Sequence, residues 1–367
     1  MVRAVPRTCL PFALVVLAVA CSSAELTPAA PVPSTSGDPA TPGGGGSSGG
    51  DGDGGPGDPG APLAMSRAVT IQIQPSDSGA ALLAAIKGAK KSVHMTMYML
   101  TSNEMIGALV DVKQGGKDVK VVLNKSFPTP DNPNEGTFTT LKNKGVSVVW
   151  ASSGYTFTHA KTILIDGTKA VISTMNLTYS SPTSNREYIA TDTDAQDVAD
   201  LEEVFDADFA GKAVSLATKL VLSPSSANTL ESPRSQLKRL IESAKTSLDV
   251  EVEALSDGVL VDAIVAAHQA NVDVRVVVDP TTLNTTAQND AVAKLKQGAV
   301  PLRGLKTPDV HAKAIVADGA RVFVGSHNFT VNALDANREV GVLTDAAGEA
   351  KKVSDAIRGD FDSGADL

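Results

Sequence analysis

Two matched pairs of basic side chains are the residues of this chain best suited to chemistry: His159 with Lys161, and His311 with Lys313. An imidazole can act as a nucleophile or carry a proton near neutral pH. A lysine two residues further along a strand points to the same face and can hold an anion beside it. Each pair heads a 29-residue segment, His159–Glu187 and His311–Glu339, and the two align without a gap at an offset of 152 residues with 11 identical positions. The shared positions include His159/His311, Lys161/Lys313, Asp166/Asp318, Asn176/Asn328 and Glu187/Glu339. Packing alone would mainly preserve apolar positions. This repeat preserves nucleophile, cation, amide and carboxylate types, which implies one active site built from two halves.

The second copy is the cleaner. After the run Ala314–Ala317 and the turn Gly319-Ala320, a strand over Arg321–Val324 leads to Gly325-Ser326-His327-Asn328. Small residues there allow close approach to a ligand, and the Asn328 amide can donate two hydrogens to an oxyanion. The first copy carries Ser173-Thr174 in place of Gly325-Ser326, so a small residue and a hydroxyl are kept.

The elements that position these residues repeat as well. Val69–Ile73, Val93–Leu100 and Val119–Leu123 read as strands. Ser78–Lys90, with Ser78 as cap, and Asn103–Gln114 read as helices. In the second half, helices over Ser232–Ala244 and Gly258–Ala270 alternate with strands over Leu248–Ala254 and Val272–Val278. This alternation predicts an α/β fold: two similar domains over 67–215 and 216–367, each a mixed sheet between helices, related by a pseudo-twofold axis.

Residues 1–21 read as a targeting segment. Arg3 and Arg7 precede the apolar run Leu10–Val19, which is too short to span a bilayer, and Leu17-Ala18-Val19-Ala20-Cys21 resembles a bacterial lipobox with Cys21 as the lipidated residue. Residues 22–66 are rich in Gly, Pro and Ser and read as a disordered linker. The expectation is an exported protein, lipid-anchored to a bacterial envelope membrane and facing periplasm or exterior. Cys9 and Cys21 are the two cysteines, so the globular part can form no disulfide and no thiolate metal site. The net charge of −9, near −6 without residues 1–66, argues against a protein whose main task is gripping nucleic acid.

The doubled pattern matches the H-x-K-x4-D-x6-G-S-x-N signature of the phospholipase D superfamily, and the chain is identified as a member of it. The resemblance implies phosphodiester chemistry through a covalent phosphohistidine, with no metal or cofactor. His159 would attack, and His311 would protonate the leaving oxygen and then deprotonate the incoming one. Lys161, Lys313, Asn176 and Asn328 would hold the equatorial oxygens. By the same resemblance, Glu187 and Glu339 hydrogen-bond the histidine rings and fix their tautomers, while Asp166 and Asp318, with Ser173, Thr174, Gly325 and Ser326, are structural.

The expected substrate is a phospholipid at a membrane surface, with hydrolysis of the head group as the first reading. A nuclease of the same superfamily is the closest alternative, and cardiolipin-synthase-like phosphatidyl transfer the next. A non-catalytic binder is the reading from another class, and it is disfavoured because both His–Lys pairs are intact. A single chain holds both half-sites, so a monomer suffices. Asp249, Glu251 and Glu253 share one face of a strand flanking the site and read as a solvated edge or as an acidic wall favouring a cationic head group. Trp150, Tyr155 and Phe157 read as core or as a rim. His94 reads as structural, His268 as a half-exposed helix residue, and His327 as a candidate for lining the cleft.

Overall fold

A computed structural model describes residues 63–226 and 228–367. The targeting segment, Cys21 and nearly all of the linker lie outside the described residues. The first half runs β1 (Val69–Gln74), α1 (Ala80–Lys87), β2 (Ser92–Met97), α2 (Asn103–Gln114), β3 (Asp118–Leu123), α3 (Glu135–Asn143), β4 (Ser147–Trp150), β5 (Lys161–Ile165), β6 (Lys169–Ser173), α4 (Ser181–Ser184), β7 (Asn185–Asp192) and α5 (Ala195–Phe209). The second runs β8 (Val221–Ser223), α6 (Pro233–Ser243), β9 (Ser247–Val252), α7 (Gly258–Gln269), β10 (Asp273–Val278), α8 (Thr286–Gln297), β11 (Leu302–Gly304), β12 (Asp309–Val310), β13 (Lys313–Ala317), β14 (Arg321–Gly325), α9 (Val331–Asp335), β15 (Glu339–Thr344), α10 (Glu349–Ser363) and β16 (Ala365–Asp366).

The strands form two eight-stranded mixed sheets. One runs β1-β7-β6-β5-β2-β3-β4 with β12 also paired to β7, and the other β16-β11-β10-β9-β13-β14-β15-β8. In each sheet a central strand, β2 or β9, is parallel to the next βα strand and antiparallel to the strand that begins with the motif lysine. The motif strands are apolar almost throughout because both of their faces are covered. On β5, Ile163 and Ile165 pack outward with α1, α2 and α3, while Leu164 packs inward. On β13, Ile315 and Ala317 pack outward with α6, α7 and α8, while Ala314 and Val316 pack inward. The inward residues of both sheets, together with α5 and α10, make one continuous core. The halves are therefore joined by a shared hydrophobic layer.

The segments ahead of the two histidines cross over. β12, from the second half of the chain, pairs in parallel with β7 of the first half, Val310 opposite Arg186, and Thr158 bridges to Arg338 in the same way. His159 N–H and Ala160 N–H both donate to the Arg338 carbonyl at 2.9 Å, and His311 N–H donates to the Arg186 carbonyl at 3.3 Å. The two arginines lock this exchange. Arg186 binds both oxygens of Asp360 on α10, at 2.5 and 2.8 Å, and donates to the Gln74 carbonyl at 2.7 Å. Arg338 binds Asp208 on α5 at 3.0 Å and donates to the Ser223 carbonyl at 3.0 Å. Its guanidinium also lies 4.5 Å from the Tyr155 ring centre.

Most helix boundaries follow their caps, with Ser102, Asp194, Ser232 and Asp257 each accepting a backbone N–H in the first turn. The expected cap at Ser78 is corrected. Ser78 has φ 55° and makes no cap. The Asp77 carboxylate instead accepts from the N–H groups of Gly79 and Ala81.

Arg338 and Asp208 are both almost fully buried. Arg338→Ala would leave Asp208 as an unpaired buried carboxylate, and the expected loss on denaturant unfolding is about 3–5 kcal/mol. The double variant Arg338→Met/Asp208→Leu is expected to lose much less. Equal losses in the two variants would show that the ion pair does not hold the halves.

Candidate active site

The catalytic geometry starts from the hairpin turns. Asp166-Gly167 and Asp318-Gly319 all adopt positive φ, between 57° and 63°, the conformation that an Asp-Gly turn tolerates. The Asp166 carboxylate accepts from the backbone N–H groups of Lys90, Lys91 and Ser92. Asp318 does the same for Lys245, Thr246 and Ser247. Each aspartate thus ties the far end of a motif strand to the start of the central strand beside it. These backbone bonds outweigh burial and hold Asp318 down at about 2.

At the other end of the strands the two histidines are brought together, each held by the glutamate of the opposite half. His159 Nδ1 lies 3.0 Å from both oxygens of Glu339. His311 Nδ1 lies 2.9 and 3.0 Å from those of Glu187. A carboxylate at Nδ1 fixes the proton there and turns Nε2 toward the cleft. The glutamates are positioned in turn. Thr174 Oγ1 donates to Glu187 at 2.5 Å and Asn185 Nδ2 at 3.2 Å, while Asn337 Nδ2 donates to Glu339 at 3.0 Å. Ser326 Oγ accepts from Val340 N–H, as Thr174 Oγ1 does from Tyr188 N–H.

Burial pushes His159 well below the usual imidazole range, and Lys161 and Lys313 push it further. That shift favours the neutral ring that nucleophilic attack needs. Burial raises the Glu339 carboxyl, with His327 and Lys161 opposing. Lys161 Nζ donates to the His159 carbonyl at 2.6 Å, and Lys313 Nζ to the His311 carbonyl at 2.7 Å. Asn176 is buried, and Asn328 donates to Glu253 at 3.1 Å.

The departure of Ser173 from glycine has a packing reason. Gly325 faces Gly341 in register, and a Cβ on Gly325 would stand 2.7 Å from the Phe323 ring and 2.7 Å from the Gly341 Cα. In the first copy the corresponding positions are Val171, Ser173 and Ile189. A smaller side chain on one position leaves room for larger ones on the others.

The reading of Asp249, Glu251 and Glu253 as a solvated edge or an acidic wall is corrected. β9 is a central strand, and all three carboxylates are buried. Asp249 is bound by Ser354 and Arg358. Glu251 accepts from Tyr188 at 2.5 Å, and burial raises it well above the usual carboxyl range. Glu253 alone reaches the site, 2.7 Å from Lys313 Nζ and 3.6 Å from His311 Nε2. The aromatics near His159 also divide. Trp150 stacks on Phe138 at 4.1 Å, Tyr155 serves Arg338, and Phe157 meets Tyr98 edge-on. His94 stacks on Phe205 between Asp118 and Glu202, and His268 is half-buried on α7. His327 is fully buried, and burial lowers it to about 4.

Sequence reasoning missed Tyr98, whose ring lies 4.6 Å from that of His159 and 4.9 Å from Lys161 Nζ. It also missed the Arg–Asp clamp. A signal for the clamp existed: Asp208 and Asp360 stand at the same offset of 152 as Arg186 and Arg338. Among the described residues no group of three or more His, Cys, Asp or Glu is placed to hold a metal ion.

A family model described as "Cardiolipin synthase, PLD-like domain" matches residues 82–209 and again 237–363, more than half of the chain. Cardiolipin synthase 1 of Bacillus cereus is 31% identical over 131 residues, 35% of this chain and 25% of that protein. Mitochondrial cardiolipin hydrolase of Danio rerio is 29% identical over 117 residues, 30% of this chain and 51% of that protein. The chain thus spans between a quarter and a half of these relatives. The crystal structure of phosphatidylserine synthase from Haemophilus influenzae superposes with a TM-score of 0.61 at 12% identity, covering 82% of this chain and 87% of that one, which establishes a common fold.

Glu339→Gln keeps the shape of the side chain but removes the charged acceptor of the His159 Nδ1 proton. The expected result is a fall in kcat of about 10²–10⁴ with the thermal unfolding midpoint little changed. A fall of less than tenfold would contradict the assigned role.

Proposed function

The chain belongs to the phospholipase D superfamily, and on that premise we propose that it transfers the phosphatidyl group of a phospholipid through a phosphohistidine on His159. The acceptor is a second alcohol in the favoured reading and water in the other. The observation that carries the chemistry is the crossed pairing of His159 with Glu339 and His311 with Glu187, which turns two Nε2 atoms into one cleft with Lys161 and Lys313 beside them. His159 Nε2 attacks phosphorus as the bond to the leaving oxygen breaks, and His311 gives that oxygen its proton. His311 then takes a proton from the incoming hydroxyl, whose oxygen attacks phosphorus and releases His159. The lysines and asparagines hold the equatorial oxygens, whose charge is the main electrostatic demand of the transition state.

Transfer stands ahead of head-group hydrolysis because of the company the chain keeps: its relatives include a cardiolipin synthase, and its fold is that of a phosphatidylserine synthase. Hydrolysis stays as the second reading because a cardiolipin hydrolase is also similar. A lipid substrate rather than nucleic acid is supported by the acidic net charge and by two exposed apolar side chains. Tyr179 and Val331, 90% and 57% exposed, each stand three residues after a motif asparagine. Among the described residues no helix is long and apolar enough to cross a membrane. An anchor at Cys21, proposed from the sequence, would hold the site at an envelope membrane.

The test is product analysis after incubation with phosphatidylglycerol vesicles, with plasmid DNA in a parallel reaction. Cardiolipin with released glycerol is expected, and both should vanish in His159→Ala and His311→Ala. Phosphatidic acid without cardiolipin would select hydrolysis. Nicked DNA with untouched lipid would overturn the substrate assignment.

A further inference from the structure

The two half-sites share their His, Lys, Asn and Glu, but the residue that follows the central strand differs in charge. Tyr98 follows β2 and Glu253 follows β9, and their equivalence is fixed by the backbone. Met97 is in register with Lys161 and Val252 with Lys313. Tyr98 N–H donates to the Ala160 carbonyl at 3.1 Å, and Glu253 N–H to the Ala312 carbonyl at 3.0 Å. The first half-site therefore presents a neutral aromatic ring beside its histidine and lysine, and the second presents a carboxylate.

That carboxylate has a defined seat. It accepts from Lys313 Nζ at 2.7 Å and from Asn328 Nδ2 at 3.1 Å, and it lies 3.6 Å from His311 Nε2. Burial opposes its ionisation, but Lys313 and then His311 outweigh burial and hold it below the usual carboxyl range. His311 thus has a carboxylate at each ring nitrogen, Glu187 on Nδ1 and Glu253 near Nε2. Glu187 is hydrogen-bonded at Nδ1, while Glu253 stands too far from Nε2 for a hydrogen bond and attracts a positive charge on the ring through space. The charged groups around His159 act the other way. Among the described residues its ion pairs involve Glu339 alone, on Nδ1. Lys161 and Lys313 disfavour a charge on it most strongly, Glu253 favours one, His311 disfavours one, and Tyr98 contributes a neutral ring edge.

We propose that Glu253 is the positioning residue that makes the halves unequal: seated between Lys313, Asn328 and His311, it holds His311 as the proton donor and leaves His159 as the attacking imidazole. This rests on the phosphoryl-transfer reading for its chemical meaning, but the charge asymmetry exists without substrate. Each step stays balanced: the proton that Glu253 helps to retain on His311 Nε2 goes to the leaving oxygen, and the proton of the incoming hydroxyl restores it. Glu253 touches no reacting atom of the substrate and acts through His311.

The chain has five histidines, few enough for a resolved titration by NMR of the full-length protein carrying ¹⁵N-labelled histidine, without substrate. The His159 ring is expected to lose its second proton at lower pH than the His311 ring. The two rings titrating together, or in the reverse order, would overturn the proposal whether or not any lipid is turned over. In Glu253→Gln, which keeps an acceptor for Lys313, the basic limb of the kcat/KM profile is expected to move down by about one pH unit or more. Glu253→Asp should restore part of the shift. An unmoved limb in a folded Glu253→Gln would also overturn the proposal. Should that variant not fold, the titration of the unaltered protein decides.

Discussion

Everything in this molecule depends on two Nδ1–carboxylate contacts that cross the interface between its halves. A histidine and its own glutamate, 28 residues apart in each copy, do not meet. His159 is held by Glu339 and His311 by Glu187. Neither half alone can orient its imidazole, so the catalytic geometry exists only when the halves are docked in one register. Much of the rest of the structure secures that register. β12 and the Thr158 bridge align each histidine with the opposite Asn-Arg-Glu segment. The Arg186–Asp360 and Arg338–Asp208 pairs clamp the arginine between them. The shared core between the sheets supplies the cohesive area.

Electrostatics decides how such a site operates. Two lysines are buried beside two histidines, and three glutamates, Glu187, Glu253 and Glu339, are buried among them. Taking that many charges out of water is costly unless each finds a partner. Pairing one carboxylate with each Nδ1 and one with Lys313 satisfies the groups without placing a carboxylate on His159 Nε2. Such a site is suited to an anionic phosphodiester, with its charge set by fixed groups and not by solvent.

Much of this was legible from the chain. The repeat spacing named both His–Lys pairs, the asparagines and the glutamates, and the alternation of strands and helices gave the two mixed sheets. What stayed hidden was relational. That Glu339 serves His159 rather than His311 depends on how the halves dock, and a repeat reads the same either way. Glu253 was seen as one of three acidic residues on a strand face, but a strand edge and a buried centre have the same period, so its partner Lys313 could not be inferred. Asp77 displaced Ser78 as a cap because a positive φ at Ser78 is a feature of the turn and leaves no mark in local propensity. Head-group hydrolysis is the first reading of the sequence, and the relatives shift it toward transfer.

The central claim is that the two halves make one site that works through a covalent bond to His159. It is tested most directly by mixing excess protein with a phospholipid carrying ³²P in its phosphodiester and quenching within a single turnover in alkaline detergent. The account predicts label on the peptide containing His159, stable to alkali, lost in mild acid, and absent in His159→Ala. An active protein that never becomes labelled, or whose label survives acid, would contradict it.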